Sequence, residues 1–243
     1  MIQIKVDPAR SIAPGVHAIP LGAVNAFLID AGELTLIDTG TPGSAEKILQ
    51  AVQALGRQTA DIRHILVTHC HPDHSGSLAA LKRATRAAAY MHPTDATLVR
   101  TGRSMRPMKP APGLVNMLFF KMIVSRAPQT IEPAEIDYEI NSGEDLPIAG
   151  GIRAIHAPGH CAGQLVFLWR RHGGVLFAAD AASNIIGLGL SAGYENLDEG
   201  RRSLARIAGL DFETACFGHG GAILRGASRQ FRRKWGGPMN AYR

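Results

Sequence analysis

Residues 68–77 read THCHPDHSGS, three histidines and an aspartate in an HxHxDH spacing. They follow directly on IRHILVTH (62–69), an apolar run that reads as a buried strand, and precede SLAALKRATRAAA (77–89), a run of strong helix formers expected to be one helix. In an extended loop leaving a strand, side chains two apart project to the same side, so His69 and His71 can reach one ion together. Asp73 and His74 stand where the chain turns into the helix and point to a neighbouring position. Imidazole nitrogen and carboxylate oxygen suit zinc and its borderline-soft relatives, and a catalytic site of this kind leaves one coordination position for water.

Four ligands from one loop are too few for two ions, and the second half of the chain supplies three more candidates, each at the end of a strand-like run. They are His160 in HAPGHCAGQ, Asp180 in LFAAD and His219 in CFGHGG. Gly159, Gly163, Gly218, Gly220 and Gly221 around them would let backbone come close to an ion. His17, His64, His92, His156 and His172 have no such partners and read as surface or core histidines, with His92 and His156 the two placed to support the loops. Cys70 and Cys161 adjoin candidate ligands, but neighbours in an extended loop point away from the ion.

Working outward, GVHAIP, NAFLIDAG and LTLIDTG read as a three-strand meander with turns at Gly32 and Gly40. Residues 42–55 follow with helical spacing of Ile48, Leu49, Val52 and Leu55. GGIRAIHAP, GQLVFLWR, GGVLFAAD and ETACFGHGG give further strands, with a helix over 197–208. In each half a strand ends in an aspartate, Asp38 and Asp180, which suggests two sheet-plus-helix halves facing one another. Between them lies a segment, about 100–126, that fits neither half: RSMRPMKPAPG is broken by prolines, and LVNMLFFKMIV is almost uniformly apolar. It reads as a buried core helix, or else as a lid over a cleft or a homodimer contact.

Bulk properties set the class. The chain has 243 residues with 46% hydrophobic content, enough for a packed core, and the reading is one domain over 1–243 with the 100–126 segment as an insertion. No apolar run reaches the roughly 18 residues of a membrane span, and MIQIKVDPAR lacks the apolar core of a signal peptide, so a cytoplasmic protein is expected. Cys70, Cys161 and Cys216 cannot all pair and are read as reduced thiols. The net charge of +6 is spread over several modest clusters, which reads as a solvated basic surface rather than a nucleic-acid interface.

The order THCHPDH, PGHCAGQ, the isolated Asp180 and GHGG resembles the metallo-β-lactamase superfamily across nearly the whole chain. The resemblance implies an α/β fold, a four-layer αβ/βα sandwich with metals at one edge. Carried over residue by residue, it implies a first metal on His69, His71 and His160 and a second on Asp73, His74 and His219. Asp180 would bridge them, and Asp38 would support the metal loops. The cofactors implied are two divalent ions, zinc first, with iron or manganese as alternatives. Such a pair ionises a shared water near neutral pH, polarises a carbonyl and receives the leaving group, with Asp73 as proton carrier. Tyr194, in SAGYENLDEG, matches a tyrosine region that in the superfamily's lactonases bonds the substrate carbonyl.

The expected reaction is hydrolysis of a small ester, lactone or thioester, with lactone slightly ahead. The glyoxalase II branch carries a C-terminal extension that the short tail after His219 lacks, and β-lactamases act outside the cytoplasm. Two alternatives from other classes are a mononuclear-iron persulfide dioxygenase, which the full second ligand set opposes, and a nucleic-acid phosphodiesterase, many of which carry a large inserted domain that this chain lacks.

Overall fold

The computed structural model describes residues 9–122 and 124–237. The opening residues 1–8, read above for a leader, and Ile123 of the apolar run lie outside the described residues. The strands are β1 (Arg10–Ala13), β2 (Val16–Pro20), β3 (Asn25–Ala31), β4 (Glu33–Ile37), β5 (Ile62–Leu66), β6 (Ala88–Met91) and β7 (Lys109–Pro110). They continue as β8 (Tyr138–Glu139), β9 (Asp145–Leu146), β10 (Ile152–His156), β11 (Leu165–Trp169), β12 (Val175–Ala179), β13 (Gly193–Tyr194) and β14 (Thr214–Phe217). The α-helices are α1 (Ala45–Ala54), α2 (Pro72–Ser75), α3 (Leu78–Thr85), α4 (Pro93–Arg100), α5 (Leu114–Met122), α6 (Leu197–Ala208) and α7 (Ala227–Trp235).

One sheet runs β1-β2-β3-β4-β5-β6-β8 and a second runs β14-β12-β11-β10-β9. The predicted meander is the antiparallel β2-β3-β4, after which β4, β5, β6 and β8 pair in parallel. Three hydrophobic clusters show how these elements stack. Ile48, Val52, Leu78, Leu81 and Val99 of α1, α3 and α4 meet Leu28, Leu36 and Ile65 of the first sheet. Phe27, Ile29, Ile37 and Leu66 from its other face meet Leu165, Phe167, Trp169 and Phe177 of the second sheet. Val166, Leu168, Leu176 and Phe217 then meet Leu204, Ile207, Phe231 and Trp235 of α6 and α7. Helices, sheet, sheet and helices make four layers, the αβ/βα sandwich. A strand with cores on both faces must be apolar throughout; in LVFLW of β11, Leu165, Phe167 and Trp169 point to one core and Val166 and Leu168 to the other.

Two expectations are corrected here. The helix predicted over 77–89 stops at Thr85: Arg86 adopts the left-handed conformation at φ 58°, its N–H donating to the Lys82 carbonyl, and residues 88–91 pair in parallel with β5. Alanine's helix preference is small beside the hydrogen bonds and burial that a central sheet offers. Nor is the 100–126 segment a buried core helix, because α5 leaves Leu114, Met117, Leu118 and Met122 largely exposed.

The parallel strands determine where chemistry can sit. Asp38 follows the last residue of β4, His69 lies three residues past β5, Asp180 directly follows β12 and His219 is two residues past β14. All four therefore emerge at carboxyl ends of strands, the usual place for sites in α/β sheets. Asn25, at the start of β3, ties the two sheets together there: its side-chain amide donates to the carbonyls of Phe217 (3.1 Å) and Gly220 (2.9 Å).

The inter-sheet core is the main adhesive between the halves. Replacing the fully buried Phe167 with alanine is expected to lower unfolding free energy by about 3–5 kcal/mol in a urea titration; a loss below about 1 kcal/mol would mean that the sheets do not depend on this contact.

Candidate metal centre

All seven candidate ligands named from the sequence lie together in the structure. His69 Nε2 is 3.1 Å from His71 Nδ1, and His160 Nε2 is 2.9 Å from the same atom. His219 Nε2 lies 3.2 Å from Asp73 Oδ2 and 3.2 Å from Asp180 Oδ2, while His74 Nε2 lies 3.4 Å from Asp180 Oδ1. Asp180 Oδ2 is also 3.5 Å from His160 Nε2, so this one carboxylate borders histidines of both groups. Three sets, His69–His71–His160, His69–His74–Asp180 and Asp73–His74–His219, each place their ligand atoms within 4.8 Å of one another. Atoms sharing a tetrahedral zinc at about 2.0–2.1 Å stand about 3.3 Å apart, and these spacings are of that size.

Hydrogen bonds fix which nitrogen each ring turns inward. His160 Nδ1 donates to the Gly193 carbonyl at 2.7 Å and His219 Nδ1 to the Ala23 carbonyl at 2.8 Å. A carbonyl only accepts, so Nδ1 of both rings is the outward donor and Nε2 faces the cluster. His74 Nδ1 donates to Asp38 Oδ2 at 2.7 Å. Thr68 Oγ1 donates to Asp38 (2.9 and 3.0 Å) and accepts from His69 Nδ1 at 3.0 Å. Asp38 also accepts the Thr68 backbone N–H at 2.8 Å, so one buried carboxylate orients a histidine from each of two ligand sets. Such partners raise imidazole basicity and lock its direction. Asp38 sits at φ 61° and Ala179, just before Asp180, at φ 45°. Left-handed backbone at non-glycine residues is costly and collects where a site needs a side chain aimed.

The electrostatics divide the cluster. Burial, together with the neighbouring histidines, holds the His69 pKa well below the usual value, pushes His71 down to about 3 and lowers His160, so these three rings are neutral donors. Burial opposes charge on His74, yet Asp38, Asp73 and Asp180 outweigh it and raise its pKa; burial likewise opposes charge on His219, where Asp180 and Asp73 prevail. Burial alone would raise Asp180, but His219 and His74 hold its carboxyl well below the carboxylate range. Among the buried atoms without a hydrogen-bond partner are His74 Nε2 and Asp180 Oδ1, both aimed into the cluster. Inward-facing imidazole nitrogens, buried carboxylates beside them and orphaned polar atoms suit a divalent cation.

Close packing leaves no slack around these groups. A Cβ on Gly218 would fall 2.2 Å from Asp180 Oδ1 and 2.6 Å from His74 Cε1. Of the five glycines expected to approach an ion, Gly218 meets the candidate ligands, and Gly163 instead abuts Asp95, where a Cβ would lie 2.5 Å from Oδ1. Gly221 has open space.

Asp95 of α4 is the residue that the sequence reading missed. It is fully buried; Oδ2 accepts the Cys70 N–H (3.0 Å) and the Cys161 thiol (3.0 Å), and Oδ1 accepts the Gly163 N–H (3.1 Å) and Arg106 (2.8 Å). It thereby fastens the loop carrying His69 and His71 to the loop carrying His160. The available signal was an acid in helical register with the apolar Leu98 and Val99. His156 donates from Nε2 to the Ala162 carbonyl at 2.8 Å and stacks on His92, which places this pair behind the His160 loop. His17, His64 and His172 take no part. Tyr194 lies beside the cluster, its ring edge-on to His160, but its hydroxyl is engaged: it accepts the Ser191 N–H (3.1 Å) and donates to the Ala181 carbonyl (3.2 Å).

The chain belongs to the Metallo-beta-lactamase superfamily, whose family model matches residues 19–219. It is 31% identical over 222 residues to the uncharacterized protein YobT of Bacillus subtilis, covering 86% of this chain and 88% of that protein. It is 27% identical to the thioesterase pkgB of Emericella nidulans over 85% of this chain, spanning about half (48%) of that protein's length. A metallo-beta-lactamase structure from Cronobacter sakazakii superposes with a TM-score of 0.69 at 25% identity, covering 87% of this chain and 80% of the other. The fold is thus that of the metallo-hydrolases of this superfamily.

Exchanging Asp38 for asparagine keeps a residue tolerant of its left-handed backbone and removes only the charge facing His74 and Thr68. Zinc affinity, read by competition with a chromophoric chelator, is expected to fall about 10–100-fold; unchanged affinity would show that Asp38 does not orient the cluster.

Proposed function

We propose that the chain is a binuclear metallo-hydrolase cleaving small acyl thioesters and esters, with lactones as secondary substrates. The observation that carries this reading is the position of Asp180, one buried carboxylate within 3.5 Å of His74, His160 and His219. His69, His71 and His160 would hold one cation, Asp73, His74 and His219 the other, and Asp180 would touch both. When bound, divalent ions of this kind supply a water ionised near neutral pH and polarise the carbonyl under attack.

The remaining roles belong to the chain's own groups. Asp73 is the candidate carboxylate with solvent access, its side chain 32% exposed against 6% for Asp180. It is placed to take a proton from the nucleophilic water and deliver it to the leaving group, a general acid–base role. His219 holds it there at 3.2 Å. Asp38 and Asp95 act at one remove, keeping His69, His74 and the two ligand loops in register. The Tyr194 region was one of the features that favoured lactones; with its hydroxyl bonded to Ser191 and Ala181 and a thioesterase among the relatives, thioester cleavage takes first place. A thiolate leaving group also departs with little need of a proton, which suits a site whose acid is a single half-buried aspartate. The mononuclear-iron reading needs two histidines and one carboxylate and leaves Asp73, His74 and His219 without a task. Zinc fits the imidazole-rich first set best.

Elemental analysis of the purified protein is expected to give about two divalent ions per chain, with thiol release from a panel of acyl thioesters exceeding turnover of β-lactams. Asp180→Ala should retain fold, bind fewer ions and lose at least about a hundredfold in turnover. Full activity of that variant, or one iron per chain with oxygen uptake, would contradict the proposal.

A further inference from the structure

Six of the eight exposed large apolar side chains among the described residues lie in two segments: Leu114, Met117, Leu118 and Met122 in α5, and Ile185 with Ile186 in the loop after Asp180. The α5 residues fall at i, i+3, i+4 and i+8, one face of the helix. Its opposite side is anchored: Phe120 packs on Gly193 so closely that a Cβ there would come within 2.8 Å of the ring, and the Gly193 carbonyl is the acceptor that orients His160. On the far side of the cluster, the Asn184 N–H donates to the His219 carbonyl at 3.0 Å, so Ile185 and Ile186 begin one residue from a ligand-loop contact. Ile186 is 86% exposed. Each apolar segment is thus linked to a candidate-ligand loop, α5 through Gly193 to His160 and the 185–186 loop through Asn184 to His219.

The charge along α5 and its flanking chain is of one sign. Residues 100–131 contain no aspartate or glutamate. Arg103, Lys109, Lys121 and Arg126 are exposed and have no acidic partner within salt-bridge distance among the described residues. We propose that α5 and the 185–186 loop dock this protein on an anionic lipid bilayer, with the histidine cluster turned towards the headgroups. Apolar side chains exposed on one helical face, with Lys121 in the helix and Lys109 and Arg126 in its flanks, suit the boundary between acyl chains and anionic headgroups, and each cation near such a surface adds attraction. A second copy is a poorer occupant, because a two-fold contact would set these cations against themselves. A substrate chain is poorer too, because the stripe faces solvent, opposite the Phe120 side. No described helix is long and apolar enough to cross a membrane, so the attachment is peripheral. The proposal stands apart from the hydrolase reading, since vesicle partition is measured without turnover and hydrolysis enters only as a control on the variants.

The test is co-sedimentation of the metal-loaded full chain with phosphatidylcholine vesicles carrying about 30% phosphatidylglycerol, or none. Partition onto the anionic vesicles is expected to exceed the neutral case at least about tenfold and to fall with added salt. Met117→Asp with Leu118→Asp should lower it at least about tenfold, with unchanged hydrolysis of a water-soluble thioester and an unchanged circular dichroism spectrum. Lys109→Glu with Lys121→Glu should abolish the anionic preference. Wild-type protein remaining in solution with both vesicles, or a Met117/Leu118 double variant that sediments like wild type, would overturn the proposal. So would a double variant whose effect is the loss of a dimer in light scattering, or a raised KM for soluble long-chain substrates with partition unaltered.

Discussion

The carboxylate of Asp38 is the interaction on which the rest depends. It lies buried at the end of a central strand and gathers the Thr68 N–H, the Thr68 hydroxyl and His74 Nδ1. Through Thr68 it also reaches His69. A buried charge survives only when its hydrogen-bonding capacity is met, and here the groups that meet it are the backbone and side chains of the ligand loop. The loop stabilises the charge, and the charge aims the loop.

That arrangement requires parallel strands. β4 and β5 run side by side in the same direction, so Asp38 and the 68–74 loop leave the sheet at the same end. β12 and β14 repeat this in the second sheet and bring Asp180 beside His219. The inter-sheet core then fixes the distance between the two pairs, and Asn25 clamps the seam at the site itself. Candidate ligands scattered over residues 69 to 219 therefore meet because two sheet edges meet. The cluster is only as well defined as the packing of Phe27, Phe167 and Phe177 behind it.

Much of this was legible in the sequence. HxHxDH after an apolar strand, with His160, Asp180 and His219 at later strand ends, named residues that the fold does bring together, because local spacing and strand ends are local properties. The end of α3 was not legible: RAAA has helical preference, and only the partner β5 makes residues 88–91 a strand. Asp95 escaped notice because its partners, Cys70, Cys161 and Gly163, lie 25 to 68 residues away. The engagement of the Tyr194 hydroxyl was illegible for the same reason: whether a tyrosine faces a site or bonds backbone depends on the loop that surrounds it. The exposure of α5 likewise reverses what eleven nearly uniform apolar residues suggest, since a run that apolar in composition usually lies inside.

The seven side chains are proposed to form one binuclear cation site with Asp180 between its halves. Anomalous diffraction at the zinc edge, from crystals grown with zinc, tests it most directly. Two peaks a few ångströms apart are expected, one among His69, His71 and His160 and one among Asp73, His74 and His219, each within coordination distance of an Asp180 oxygen. A single peak, or peaks that Asp180 does not reach, would contradict it.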